Sequence, residues 1–323
     1  MSARASGSFL GLDEEWSSPD RSKVIILPVP FEYTTSYGKG TASAPRSILD
    51  ASSYLELYDE ELDAEIYRLS SGIATMPPVE FGGKRDDEAV DLVRGQVMSL
   101  ISQDRRVICI GGEHTIAVGA VRAHADRYRE LSVLQLDAHS DLRDEYEGSR
   151  YSHASAMARI HDFHPAVVEA GIRSQCAEEA EFIKNNNVDV FYAVDLKRGK
   201  YGPDTASWAD AVIGKLKENV YVTFDCDFLD PSIMPAVGTP EPGGFGWDET
   251  MIFLRALASR RNVVGFDVNE LAPIHGLVHP QFTISKLIYK FLGYILSRGR
   301  ISPRRHGRCD PSQRPASGGT EKP

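Results

Sequence analysis

The feature that most constrains this chain is a recurrence of short apolar, β-prone runs that are continuous rather than alternating. They read KVIILPVP (23–30), RRVICIGG (105–112), LSVLQLDA (131–138) and AVVEAGI (166–172). The series continues with VDVFYAV (188–194), NVYVTFDCD (219–227) and NVVGFDV (262–268). A strand with one wet face alternates polar and apolar residues, so a run without alternation is buried on both faces, as in a covered parallel sheet. Between the runs lie amphipathic stretches of helical length, such as DDEAVDLVRGQVMSLISQ (86–103) and TISKLIYKFLGYILSR (283–298). This alternation predicts an α/β fold: a single three-layer domain whose mostly parallel central sheet is flanked by helices. With 323 residues, 42% of them hydrophobic, the chain has enough material for one large core. Neither an internal repeat nor an interior linker is visible. The expected boundaries are an N-terminal extension over 1–22, the domain proper over 23–298, and a disordered tail over 299–323, where Arg, Pro, Ser and Gly dominate.

Charge and cysteine usage exclude several classes. The formal net charge of −10 argues against a nucleic-acid partner and is compatible with a small cationic one. The cysteines at 109, 176, 226 and 309 have no CxxC spacing, so neither a disulfide framework nor a structural zinc site is expected. Cys109 and Cys226 sit inside apolar runs and read as core residues. The start of the chain lacks a signal-peptide apolar stretch, and no segment approaches the ~18 apolar residues of a membrane span. The expectation is a cytoplasmic protein without membrane contact.

Three of the buried runs end in side chains of metal-binding type. VICI is followed by GGEHT, which presents His114 behind two glycines. VLQL is followed by DAHSD, with Asp137, His139 and Asp141, and VYVTF by DCD, with Asp225 and Asp227. Residues i and i+2 of a strand share a face, which would pair Asp137 with His139 and Asp225 with Asp227 and turn Cys226 toward packing. The carboxyl ends of neighbouring parallel strands are where open α/β sheets bind ligands. Four carboxylates and two imidazoles converging there would repel unless cations lie between them. Two divalent ions satisfy such a set, and the predominance of carboxylate suits Mn²⁺ better than structural Zn²⁺. Taken singly, each motif reads as an ordinary loop histidine, a solvated strand end or a capped turn. Their joint occurrence on three strand ends is what carries the metal reading.

These motifs resemble a known family. GGEHT, DAHSD, TFDCDFLDPSIMPAVGTPEPGG (223–244) and FDVNELAP (266–273) look like the four signatures of the ureohydrolases, the arginases and agmatinases. PVPFEYTTSYGKGTASAPRSILDAS (28–52) looks like the agmatinase branch, and the resemblance runs from about Lys23 to about Ser297. It implies two Mn²⁺ per chain, one held by His114, Asp137, Asp141 and Asp225, the other by His139 and Asp227 with Asp137 and Asp225 bridging. It further implies that Asp141 orients the attacking water, that His153 in YSHAS shuttles a proton, and that Glu270 in DVNELAP binds the guanidinium. Relatives often carry Gly after the shuttle histidine; Ala154 stands here, so a small change of loop backbone is expected. Glu241, in the Gly/Pro loop 238–244, is expected beside the site rather than in its chemistry.

The implied reaction is hydrolysis of a guanidino compound to urea and an amine, with a homotrimer or homohexamer as the family's usual assembly. Agmatine is the expected substrate; guanidinobutyrate, guanidinopropionate and arginine share the reacting group. The choice rests on the branch resemblance and on the loop LRDEYEGSRYS (142–152), whose Asp144, Glu145 and Glu147 are expected at the pocket mouth, where they would favour an ammonium. Arg143 or Arg150 turning inward would instead accept a carboxylate. A binuclear phosphatase would need an Asn ligand followed by His and a late Gly-His-x-His, and a zinc deacetylase an adjacent His pair; neither occurs. A catalytically inactive regulatory relative is the remaining rival, though such chains usually lose ligands and all six positions here carry ligand-type residues.

Overall fold

The computed structural model describes residues 7–299. Among them, eight strands form one sheet. In chain order these are β1 (Val24–Val29), β2 (Ile73–Thr75), β3 (Arg106–Gly111), β4 (Leu131–Leu136), β5 (Val167–Ile172), β6 (Asp189–Tyr192), β7 (Asn219–Asp225) and β8 (Asn262–Asn269). Their spatial order is β2-β1-β3-β8-β7-β4-β5-β6, and every pairing is parallel. Seven of the eight are the apolar runs of the sequence. The exception is β2, a three-residue edge strand paired only with β1, too short to leave a run of its own.

The continuous apolar character has the expected cause. Along β1, Val24 and Ile26 enter one hydrophobic cluster, while Ile25, Leu27 and Val29 enter the other. The first cluster also holds the inner faces of α1 (Ala44–Ser52), α4 (Thr205–Gly214), α5 (Trp247–Arg260) and α6 (His279–Leu296). The second holds those of α2 (Asp86–Ile101) and α3 (Ile116–Arg127). Helices therefore cover both faces, and along β1 neither set of side chains meets water.

The described part of the expected N-terminal extension is packed onto this domain. Phe9 and Leu10 are fully buried, and their backbone N–H groups donate to Thr75 Oγ1 at 2.9 Å and to Ser52 Oγ at 2.8 Å. The tail expected over 299–323 lies, apart from Gly299, outside the described residues.

Register aligns the strand ends that matter. Ile110 of β3 lies opposite Val268 of β8, Asn269 opposite Asp225 of β7, and Phe224 opposite Leu136 of β4. The chain reaches β4 from β3 by crossing over both β8 and β7. Beyond the carboxyl ends of these four strands, loops turning in different directions leave a cleft at the switch in strand order.

Candidate metal centre

The three ligand-bearing strand ends meet in this cleft, each by a different local device. After β3, the paired glycines permit close approach. A Cβ on Gly111 would stand 2.0 Å from Asn269 Oδ1, and one on Gly112 would stand 2.0 Å from the Phe31 carbonyl. Only glycine lets β3 end so close to its neighbours, and the turn that follows delivers His114 at the mouth of α3.

The other two ends correct the reasoning by strand alternation. β4 stops at Leu136 and β7 at Asp225, so Asp137, His139 and Asp227 lie beyond the pleat, and Cys226–Phe228 is a 3₁₀ turn. What pairs them is a carboxylate folding back on the backbone two residues on. Asp137 Oδ1 accepts from the His139 N–H at 2.6 Å, and Asp225 Oδ1 accepts from the Asp227 N–H at 2.9 Å. Cys226 is buried in the core, as expected.

His114 is fully buried, and its Nδ1 lies 3.1 Å from Asp137 Oδ2, 3.1 Å from Asp141 Oδ2 and 3.4 Å from Asp225 Oδ2. His139 is the exposed counterpart. Its Nδ1 is 2.8 Å from Asp227 Oδ2 and 3.8 Å from Asp137 Oδ1. Ligand atoms of His114, Asp137 and Asp225 lie within 4.8 Å of one another, as do those of Asp137, His139 and Asp227. Asp137 belongs to both groups, Asp225 only to the first, and Asp141 to neither, although it touches His114. These groups can hold metal ions. A specific fit is that His114 Nδ1, buried and aimed at three carboxylates, makes no well-formed hydrogen bond among the described residues. A cation between that nitrogen and those oxygens satisfies all of them.

The electrostatics agree. Burial pushes Asp137 upward and the Asp227 and Asp141 charges add to it, leaving its carboxyl at about 7 against the pull of His114. Burial and the Asp227 and Asp137 charges likewise hold Asp225 well above the carboxylate range. Burial alone would lower His139, but the Asp227 charge and hydrogen bond override it and hold the imidazole at about 11. His114, opposed by burial in the same way, is raised by Asp137, Asp141 and Asp225. Without metal, protons on the imidazoles and carboxyls take the place of cations.

Above this floor opens a cavity of about 320 Å³ whose walls include His139, Asp141, Asp225, Asp227, His153 and Glu270. His114 and Asp137 lie beneath it with no exposed surface. Glu270 has one oxygen engaged, its Oε1 accepting from the His114 N–H at 2.6 Å. Burial and the neighbouring Glu113 charge raise its carboxyl well above normal, which a guanidinium beside it would reverse. Ala154 follows His153 in the 3₁₀ turn His153–Ser155, and its N–H is capped by Ser152 Oγ at 3.3 Å.

The loop 142–152 differs from expectation. Asp144, Glu145 and Glu147 are not on the cavity wall; Arg143 and Tyr146 are. Asp144 is drawn away by Arg159 at 2.7 Å and Arg150 at 2.8 Å, and Arg143 lies over the Tyr146 ring, 5.0 Å from its centroid. The acidic groups that do face the cavity, besides the metal-type aspartates, are Glu179, Glu241 and Glu270. Glu179 is occupied, accepting from the N–H groups of Leu142 and Cys176 at 3.0 and 2.6 Å. Glu241, expected beside the site, stands with Oε1 4.0 Å from His139 Nε2.

Several supporting residues were missed by sequence reasoning. Gln135 Nε2 donates to Asp137 Oδ2 at 2.8 Å. Thr223 Oγ1 contacts His114 Nε2 at 2.7 Å and donates to Asp267 Oδ1 at 2.6 Å. Arg173 Nη2 ties the Asp227 carbonyl at 2.6 Å to the Glu241 carbonyl at 2.8 Å. The first three had a legible signal: each is a polar residue inside an otherwise apolar run, which a buried position tolerates only when it is hydrogen-bonded.

A sequence model of the arginase family matches residues 22–293. The chain belongs to the arginase family. An N(1)-aminopropylagmatine ureohydrolase of Synechocystis sp. is 39% identical over 277 residues, covering 84% of this chain and 88% of the relative. An agmatinase of Bacillus cereus is 34% identical over 260 residues, covering 79% and 86%. Among solved structures, the agmatine ureohydrolase of Thermoplasma volcanium superposes with a TM-score of 0.78 at 28% identity, covering 91% of this chain and 95% of that one. The chain is thus a ureohydrolase of the agmatinase type, a hydrolase acting on guanidino compounds. No helix among the described residues is long and apolar enough to cross a membrane.

Proposed function

We propose that this ureohydrolase uses two Mn²⁺ ions to cleave agmatine to putrescine and urea. The observation that carries the reading is Asp137, shared by two ligand groups at the floor of a cavity that Glu270 and His153 also face. His114, Asp137, Asp141 and Asp225 would hold one ion, and His139 and Asp227 the other, with Asp137 and Asp225 bridging. Their oxygen-rich donor set suits manganese. When bound, such a pair supplies a water of lowered pKa, a nucleophile strong enough for the delocalised guanidinium carbon.

The rest falls to the chain's own side chains. Glu270, with Oε1 held by the His114 backbone, presents its other oxygen for a guanidinium N–H and thereby orients the carbon. Asp141 accepts a hydrogen bond from the attacking water. His153 gives the departing amine its proton, without which an alkylamine is a poor leaving group. The rest of the substrate meets a cavity lined by both Glu241 and Arg143, of which Glu241 favours an ammonium.

A second reading is favoured by the 39% identical Synechocystis relative: agmatine extended at its amine by an aminopropyl arm. A trimer or hexamer in the cytoplasm, acting without nucleic acid or membrane, belongs to the same proposal by family analogy. The test is urea release from agmatine, aminopropylagmatine, guanidinobutyrate and arginine after identical Mn²⁺ loading. Agmatine or its aminopropyl derivative should lead in kcat/KM. A preference for a carboxylate-bearing guanidine would assign the far-end contact to Arg143 and overturn this choice.

A further inference from the structure

The agmatinase-like segment after β1 and the Glu of GGEHT have no role in the chemistry above, yet they meet at His153. Glu113 is fully buried and engaged on both oxygens. Its Oε2 accepts from the Tyr33 and Thr34 N–H groups, both at 2.7 Å. Its Oε1 accepts from the Thr115 hydroxyl at 2.9 Å and the Thr34 hydroxyl at 3.0 Å. Thr34 Oγ1 also accepts from the His153 backbone N–H at 3.0 Å and lies 3.2 Å from His153 Nδ1. Tyr146 stands edge-on to the imidazole with ring centroids 5.9 Å apart, so the ring is held from a second side.

We infer that Glu113 and Thr34 are positioning residues that fix the tautomer of His153, leaving Nε2 as the nitrogen that exchanges protons. A hydroxyl has one proton to give, and a carboxylate can only accept. The Thr34 proton is committed to Glu113, so toward His153 the hydroxyl oxygen can act only as an acceptor. Of the two hydroxyls at Nδ1, Thr34 is the nearer at 3.2 Å and Ser152 Oγ the farther at 3.4 Å, so the Thr34 contact is made when Nδ1 carries its own proton. The inference rests on the proposed shuttle role of His153. As the C–N bond breaks, its electron pair goes to the amine nitrogen, which takes the Nε2 proton. His153 is left neutral with its proton on Nδ1, the tautomer this contact selects, and the proton that the newly formed urea cation gives up to solvent is returned to Nε2. Were Thr34 to donate to Nδ1 instead, the neutral ring would carry its proton on Nε2. Such a neutral ring, rather than an imidazolium, would then face the amine as donor.

The test compares Thr34→Val, which keeps the shape and removes the hydroxyl, with Thr34→Ser, which restores it. For Thr34→Val, kcat for agmatine should fall roughly ten- to a hundredfold with KM within about twofold of wild type; Thr34→Ser should stay within about threefold in kcat. Histidine ¹⁵N spectra of the full chain loaded with diamagnetic Mg²⁺, with His153 assigned by loss of its signal in His153→Asn, should show Nδ1 protonated. In Thr34→Val the ring should become a tautomer mixture. A wild-type kcat in Thr34→Val, an equal loss in both variants, or an unprotonated Nδ1 in the wild type would overturn the inference. Failure of the wild type to release urea from any guanidine would instead strike the proposed function, while the tautomer measurement would still decide the relay.

Discussion

The two histidines of the metal centre occupy opposite surroundings. His114 has no exposed surface, three carboxylate oxygens within 3.4 Å of Nδ1, and a hydroxyl and a fourth buried carboxyl, Thr223 and Asp267, behind Nε2. His139 keeps 26% of its side chain exposed, with one carboxylate at 2.8 Å from Nδ1 and, among the described residues, no nearer acidic partner for Nε2 than Glu241 at 4.0 Å. One end of the centre is fixed by the core of the sheet, the other by a turn beside the cleft. A buried ligand with its second nitrogen engaged is held in one orientation and tautomer before any metal arrives; an exposed one is ordered partly by the metal itself. The His114 end should therefore bind first and release last.

Asp137 offers the most severe test, because it belongs to both ligand groups. Asp137→Asn replaces a charged shared ligand with a neutral, weaker one. Both ions should be lost, and kcat/KM should fall by roughly a thousandfold or more. Asp227→Asn should by contrast empty only the His139 end, halving the bound metal measured by elemental analysis. An Asp137→Asn protein that keeps a full complement would mean that the ends are independent and the comparison false.

Acidity separates the metal-free from the metal-loaded protein. In the metal-free state His139 is held at about 11, above its unfolded value, so its contribution to stability is complete below the unfolded pKa and is lost as pH rises through 11. Asp137, raised to about 7, has the same sign in a lower window. Asp227, held at about 2, acts oppositely, and only below the ordinary carboxylate range. Bound cations reverse this order, since they require the same imidazoles and carboxyls to be deprotonated. Thermal unfolding with chelator should therefore show stability falling as the medium turns alkaline. With saturating Mn²⁺, the added stability should grow from acid to neutral pH. Parallel curves would show that the imidazoles do not stand in for cations.

The same division separates what was legible in the sequence from what was not. The strands were readable because a sheet covered on both faces needs continuous apolar runs, and His114, Asp137 and Asp225 because ligand types stood where those runs end. The pairing of Asp137 with His139 and of Asp225 with Asp227 was anticipated for the wrong reason: side-chain-to-backbone turns, not pleat alternation, join them. The loop 142–152 misled because composition gives the charges but not their directions. Arg159, buried in the helix that follows the loop, and Arg150 within it take Asp144 away from the cleft, and Arg143 remains on its wall. Nor could the contact between Thr34 and Glu113 be read from a linear order that separates them by 79 residues. β2 escaped because three residues at a sheet edge need no apolar run.

The smallest effect expected is also the most selective. Thr223 Oγ1 donates to Asp267 and is left to accept from the His114 Nε2–H at 2.7 Å, while Asp267 also accepts from the Tyr221 hydroxyl at 2.7 Å and Asn269 Nδ2 at 2.6 Å. Thr223→Val preserves volume and branching but removes the acceptor. The Nε2–H is then buried without a partner, at a cost of about 1–3 kcal/mol, and the ring is free to tilt. Removing a partner of this kind typically lowers metal affinity roughly ten- to a hundredfold. The loss should fall on the His114 end alone, because His139 leans on the turn after β4 and shares none of these contacts. In a two-site Mn²⁺ titration of Thr223→Val, the tighter step should weaken toward the looser one. Equal weakening of both steps would mean that the hydroxyl supports the whole sheet end rather than one histidine.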